Sequence, residues 1–131
     1  MNIISNEKRE ADLADAIVSR THEVYGYDVN IANYEAILAV LPSEWPEDLE
    51  NLRTLHPHDA ATQCPPGDID LLADLQHRDQ ISALIQSERL ERSKAQRLLD
   101  AMDAQLTGPG RDAAIQAAIE RREAALSGAG A

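Results

Sequence analysis

The sequence contains no phenylalanine, one tryptophan and three tyrosines in 131 residues. A core built with so few aromatics rests on Leu, Ile, Val and Ala. Leu and Ala favour helices, and strand-favouring residues are scarce apart from Ile. The single cysteine, Cys64, excludes an internal disulfide and with it the framework of small secreted domains. Long apolar runs are missing as well. The longest, Ala36 to Leu41, has six residues, far short of the roughly 20 that span a bilayer. The first residues turn charged at once and lack the apolar core of a signal peptide. These absences point to a cytoplasmic protein without a membrane segment. There is no Gly-rich phosphate loop, no HExxH and no GxSxG, so no common catalytic motif is present.

What is present is charge of one sign, unevenly placed. Residues 1–74 hold four basic residues (Lys8, Arg9, Arg20, Arg53) against fifteen acidic ones. Residues 75–131 hold eight of each. The whole net charge of −11 therefore lies in the first 74 residues. A strongly acidic protein repels nucleic acid and anionic membranes, and it is attracted to basic partners.

Apolar spacing predicts an all-α fold, a small bundle of about five or six helices in one domain of 131 residues. A first helix is expected over 6–25, with Leu13, Ile17, Val18 and Val24 inward and Gly26 ending it. A second, capped by Asn30, carries Ile31, Tyr34, Ile37, Leu38 and Leu41 and stops before Pro42. Leu49, Leu52 and Leu55 mark a short third helix, with Ser43 as its cap. These acidic helices occupy 6–55. Residues 56–67 hold three prolines and a glycine and are expected to form a loop. Scaffold helices follow over 68–126. Ile69, Leu72, Leu75, Ile81, Leu84 and Ile85 line the first, and a turn is expected at 87–93. The alternative is one continuous helix from 69 to 106. Thr107-Gly108-Pro109-Gly110 makes a firm break. The last helix is Ala-rich, and 127–131 are expected to fray. Its small face favours close packing on a neighbour or a second copy, giving a homodimer through 69–126.

Candidate chemistry is sparse. His56, His58 and Cys64 supply imidazole and thiolate for a zinc site, yet their spacing fits no common zinc motif. A polar, proline-stiffened loop explains the same residues, so no metal or cofactor is expected. Cys64 with either histidine would make a nucleophile pair, but a lone cysteine in a loop is more often incidental. Carboxylate groups such as Asp12/Asp15, Glu47/Asp48/Glu50 and Asp68/Asp70/Asp74 read as solvated helix faces. Arg89, Arg92, Lys94 and Arg97 would suit a helix-turn-helix. A specific DNA reader normally carries a net basic footprint, which this chain lacks.

All four aromatics, Tyr25, Tyr27, Tyr34 and Trp45, fall within the acidic half. Trp and Tyr are enriched at interface hot spots. They serve equally well as a small core, the reading preferred for Tyr34 and left open for Trp45.

Two stretches resemble small all-α accessory proteins of tailed phages and prophages. One is Ile31-Ala-Asn-Tyr-Glu-Ala-Ile-Leu-Ala-Val-Leu-Pro-Ser-Glu-Trp-Pro. The other joins Leu75-Gln-His-Arg-Asp-Gln-Ile-Ser-Ala-Leu-Ile to Ser93-Lys-Ala-Gln-Arg-Leu-Leu-Asp-Ala-Met. The resemblance implies an accessory protein that acts by binding, and it transfers no fold, activity or residue role.

The expectation is thus a non-enzymatic protein-binding modulator, such as a phage-encoded inhibitor, docking an acidic face on a basic host surface. Asp12, Asp15, Glu44, Glu47, Asp48 and Glu50 are its expected contact charges, with Trp45 as anchor. The first alternative is a structural or assembly protein, such as a virion or chaperone component. The second is a small metal-binding regulator using His56, His58 and Cys64.

Overall fold

The computed structural model describes residues 3–129, and side chains over 6–128. Among them there are only helices and connections, with no strand. Four α-helices follow one another: α1 (Ile3–Leu38), α2 (Pro57–Gln63), α3 (Ile69–Gln105) and α4 (Arg111–Ala129). Two 3-10 segments, Glu47–Leu52 and Pro66–Asp68, lie between α1 and α3. The all-α bundle expected from the sequence is what forms.

Its helices are longer than the punctuation suggested. Residues 6–25 and 30–38 of the two expected helices lie in one 36-residue α1, which closes at Leu38 rather than at Leu41. Gly26 does not end it. Its φ is not positive, and a Cβ there would meet nothing within 4 Å. A glycine inside a helix costs about 1 kcal/mol relative to alanine. The helix continues because contacts hold both sides of the expected link. Arg92 bonds Asp28 before the link, and Asn30 donates to Glu88 after it.

The turn expected at 87–93 is also absent, since α3 runs unbroken for 37 residues. That stretch is polar but contains neither glycine nor proline, so nothing in its backbone forces a break. Ile85 and Ala95 are buried on either side of it. The real breaks come where Pro42 and Gly108-Pro109-Gly110 stand. Gly108 adopts φ +102, a left-handed conformation that favours glycine.

The segment 56–67, expected as a loop, contains α2. Pro57 sits in its first turn, where a missing N–H costs nothing. His56 caps it, its Nδ1 accepting from the backbone N–H of His58 at 3.2 Å. At the other end of the chain, Ser127–Ala129 are helical rather than frayed, and 130–131 lie outside the described residues.

The chain divides into two compact units. One joins Met1–Asp28 to Glu91–Ala131, and the other is Val29–Leu90. The sequence boundary between acidic and neutral halves does not coincide with this division. The first unit buries Ala14, Ile17, Val18, Leu106 and Ala118, with Leu99 and Met102 packed against them. Two of these five buried residues are alanines. The second unit buries Trp45, Leu49, Leu52, Ala60, Cys64, Leu72 and Leu75. Here the 3-10 turn Glu47–Leu52 brings Leu49 and Leu52 onto the same side, since side chains three apart eclipse in that helix. The backbone N–H of Leu49 donates to Pro46 O at 3.0 Å to start it.

Candidate functional site

Redistributing the charges over the two units sharpens the asymmetry seen in the sequence. The first unit holds nine basic and twelve acidic residues, a net −3. The second holds three basic and eleven acidic residues, a net −8. Within the second unit, Glu44 to Asp74 carries eight carboxylates and one cation, Arg53. This segment supplies most of that unit's buried core while its carboxylates face outward.

Arg53 is fully engaged within the unit. Its Nε and Nη2 donate to the two carboxylate oxygens of Asp79 at 3.0 and 3.1 Å. Its Nη1 lies 3.6 Å from Glu50, and the guanidinium sits over the Trp45 ring, 5.6 Å from its centroid. The Asp79 hydrogen bonds hold the guanidinium above its ordinary value, and burial works against them. The only cation of the segment therefore stays charged and occupied.

The expected contact residues separate into groups. Glu44, Glu47 and Asp48 are exposed and near one another in sequence, and they form no ion pair among the described residues. Glu50 is tied to Arg53. Asp15 belongs to the first unit, where Arg121 reaches it with Nε at 3.1 Å and Nη2 at 2.8 Å. Asp12 lies in the same unit on an open groove of about 470 Å³ with Lys8, Arg9 and Gln105. The six acids thus divide between the two units, Asp12 and Asp15 in the first and the other four in the second.

Trp45 is a correction. Named as the anchor but left open between interface and core, the residue is 9% exposed and belongs to the core. Its Nε1 is buried without an acceptor. The indole packs in one cluster with Leu49 and Leu52 of the 3-10 turn and Leu72 and Leu75 of α3. Tyr25, by contrast, is 66% exposed.

The expected metal residues do not converge either. Cys64 is buried in the core, and its thiol approaches Pro65 O at 3.5 Å. Burial pushes that thiol up from its ordinary value, and the nearby Asp68 adds to the shift. A thiol held protonated is a poor nucleophile and a poor metal ligand. His56 and His58 are exposed, and the Nδ1 of His56 is taken by its capping bond. Among the described residues no three His, Cys, Asp or Glu side chains are grouped to hold a metal ion.

The basic stretch on α3 lacks the turn that a helix-turn-helix requires. Arg92 pairs with Asp28, Arg89 with Glu35 and Lys94 with Glu91. Among the described residues no helix is long and apolar enough to cross a membrane.

What sequence reasoning missed is the placement of Ala36–Leu41. None of these six apolar residues is buried, and Val40 is 82% exposed. Helical periodicity put Ile37 and Leu41 on the inner face. Pro42 marks a stop, but α1 already closes at Leu38, so the expected inner stripe is never completed.

Comparison with protein-family models, with curated proteins and with solved structures gives no match.

Proposed function

We propose that this chain is a non-enzymatic binding protein whose acidic segment, Glu44–Asp74, docks on a basic surface of a partner protein. The supporting observation is the net −7 of that segment combined with the internal engagement of its only cation, Arg53. Carboxylates without intramolecular partners are the ones free to meet basic side chains. Opposite charge speeds such encounters and makes them sensitive to salt. Glu44, Glu47 and Asp48 are the contact residues of this reading. Asp12, Asp15, Glu50 and Trp45 drop out of the contact set. An accessory role in a phage is the form of this function suggested by the sequence resemblance, and a basic host surface of the kind that holds nucleic acid is the one its charge suits. Such a protein acts in the cytoplasm of the host.

The test captures partners from lysate with the tagged full chain, with washes at low and high salt. A stoichiometric protein lost at high salt, and lost with the triple substitution Glu44→Lys, Glu47→Lys and Asp48→Lys, is the expected outcome. Equal retention by that variant overturns the assignment.

A second reading, assembly through helix packing, draws on the first unit. There Leu98 and Leu126 are 48% and 63% exposed in a region of nearly balanced charge. Self-association that persists in high salt would favour it and would make the chain a homodimer or a structural component.

A further inference from the structure

The run Ala36–Leu41 spans the end of α1 and the turn after it, and none of it is buried in the second unit. The backbone N–H of Val40 donates to Ile37 O at 3.1 Å, and that of Leu41 to Leu38 O at 3.2 Å. This tight last turn leaves Ile37, Ala39 and Val40 exposed. Isolated exposed apolar residues are ordinary on protein surfaces. Here the longest apolar run of the chain lacks a single buried member. Glu44, the first exposed carboxylate of the acidic segment, follows Val40 by four residues, and Glu47 and Asp48 come directly after. An apolar centre beside a charged rim is the ordinary anatomy of a protein interface.

We infer that Ile37, Ala39 and Val40 form the apolar centre of the docking surface, and that its occupant is a basic amphipathic helix of a partner protein. This rests on the reading of the acidic segment given above and names the kind of partner it takes. Charge selects the occupant. A second copy would set Glu44, Glu47 and Asp48 against themselves, because a two-fold interface meets its own patch. Nucleic acid and anionic lipid are repelled by the same three carboxylates. A helix with aliphatic residues on one side and Lys or Arg beside them satisfies both parts of the surface.

The test titrates the isotope-labelled full chain with two synthetic peptides, followed by amide chemical shifts at low and high salt. One peptide carries leucines along one helical face and lysines along the other. Its scrambled isomer has the same composition without the face. The amphipathic peptide is expected to shift amides of 36–48 saturably and to bind about tenfold more tightly than the isomer. Ile37→Ser with Val40→Ser lowers its affinity about tenfold and leaves the salt dependence in place. Glu44→Gln, Glu47→Gln and Asp48→Asn together flatten the salt dependence. These side chains are exposed, so an unchanged spectrum away from the patch confirms that the variants fold. Equal, salt-sensitive binding of both peptides, indifferent to the serine variant, overturns the apolar centre and leaves the acidic reading standing. Absence of salt-sensitive binding by either peptide overturns both. Self-association of the free chain through 36–48 overturns the choice of occupant.

Discussion

The two units, to both of which α1 and α3 contribute, treat their charges in opposite ways. In the first, Asp15 meets Arg121, Asp28 meets Arg92 and Asp103 meets Arg111. Its charges are close to balanced and hold helices in register. In the second, a large part of the acidic charge has no cation within the unit to meet. The cores differ in the same sense. The first sets Ala14 and Ala118 among aliphatic residues and, among the described residues, holds no aromatic, whereas the second is filled by Trp45 and four leucines. Charge that is already paired contributes to the fold, and charge left unpaired is available to something outside it.

That contrast can be broken by substitution. Leu75 is fully buried in the second unit, and Leu75→Ala is expected to destabilise by about 3 kcal/mol, from lost burial plus the residual cavity. Chemical denaturation reads this directly. A loss below about 1 kcal/mol would mean that the large-residue core collapses freely. In the first unit the complementary change is Ala118→Leu. Ala118 is 2% exposed within that cluster, and overpacking there should cost about 2 kcal/mol. A tolerated leucine would show that the small residues leave room after all.

The charges give a finer comparison. Asp15→Asn removes an exposed pair to Arg121 and should cost about 0.5 kcal/mol, because solvent screens such pairs. Glu47→Gln, without a partner, should be neutral or slightly stabilising as self-repulsion falls. The same denaturation curves decide whether the two differ. Cys64 sets the smallest effect. Its folded thiol ionises above the ordinary value of 9.0, whereas the unfolded thiol ionises there. The unfolded state therefore loses its proton first, and stability declines as the pH rises past that value. Curves at pH 8 and pH 10 should converge in Cys64→Ala.

The class of fold was legible because Leu, Ile and Ala recur at helical spacing. The breaks at Pro42 and at 107–110 were legible because proline and glycine change the backbone itself. Gly26 and the polar stretch 87–93 misled, since each only weakens a helix and packing on either side outweighs that. The helix at 57–63 was hidden by reading Pro57 as a breaker, although proline in a first turn is a start signal. Of the candidate site, the excess of acid was plain in the composition. Which acids stay free was not, because Arg121 reaches Asp15 across 106 positions of sequence. Trp45 was ambiguous for the same reason: burial depends on what α3 presents to it.

Gly26 carries one more consequence. It lies inside α1 with open space where a side chain would be. Its backbone has more freedom to leave the helix than that of any neighbour, and no side chain shields its hydrogen bonds from water. Local opening should begin there. Amide protons around position 26 should exchange with deuterium sooner than those near Ala14, which makes this residue a natural clock for the slow breathing of the longest N-terminal element.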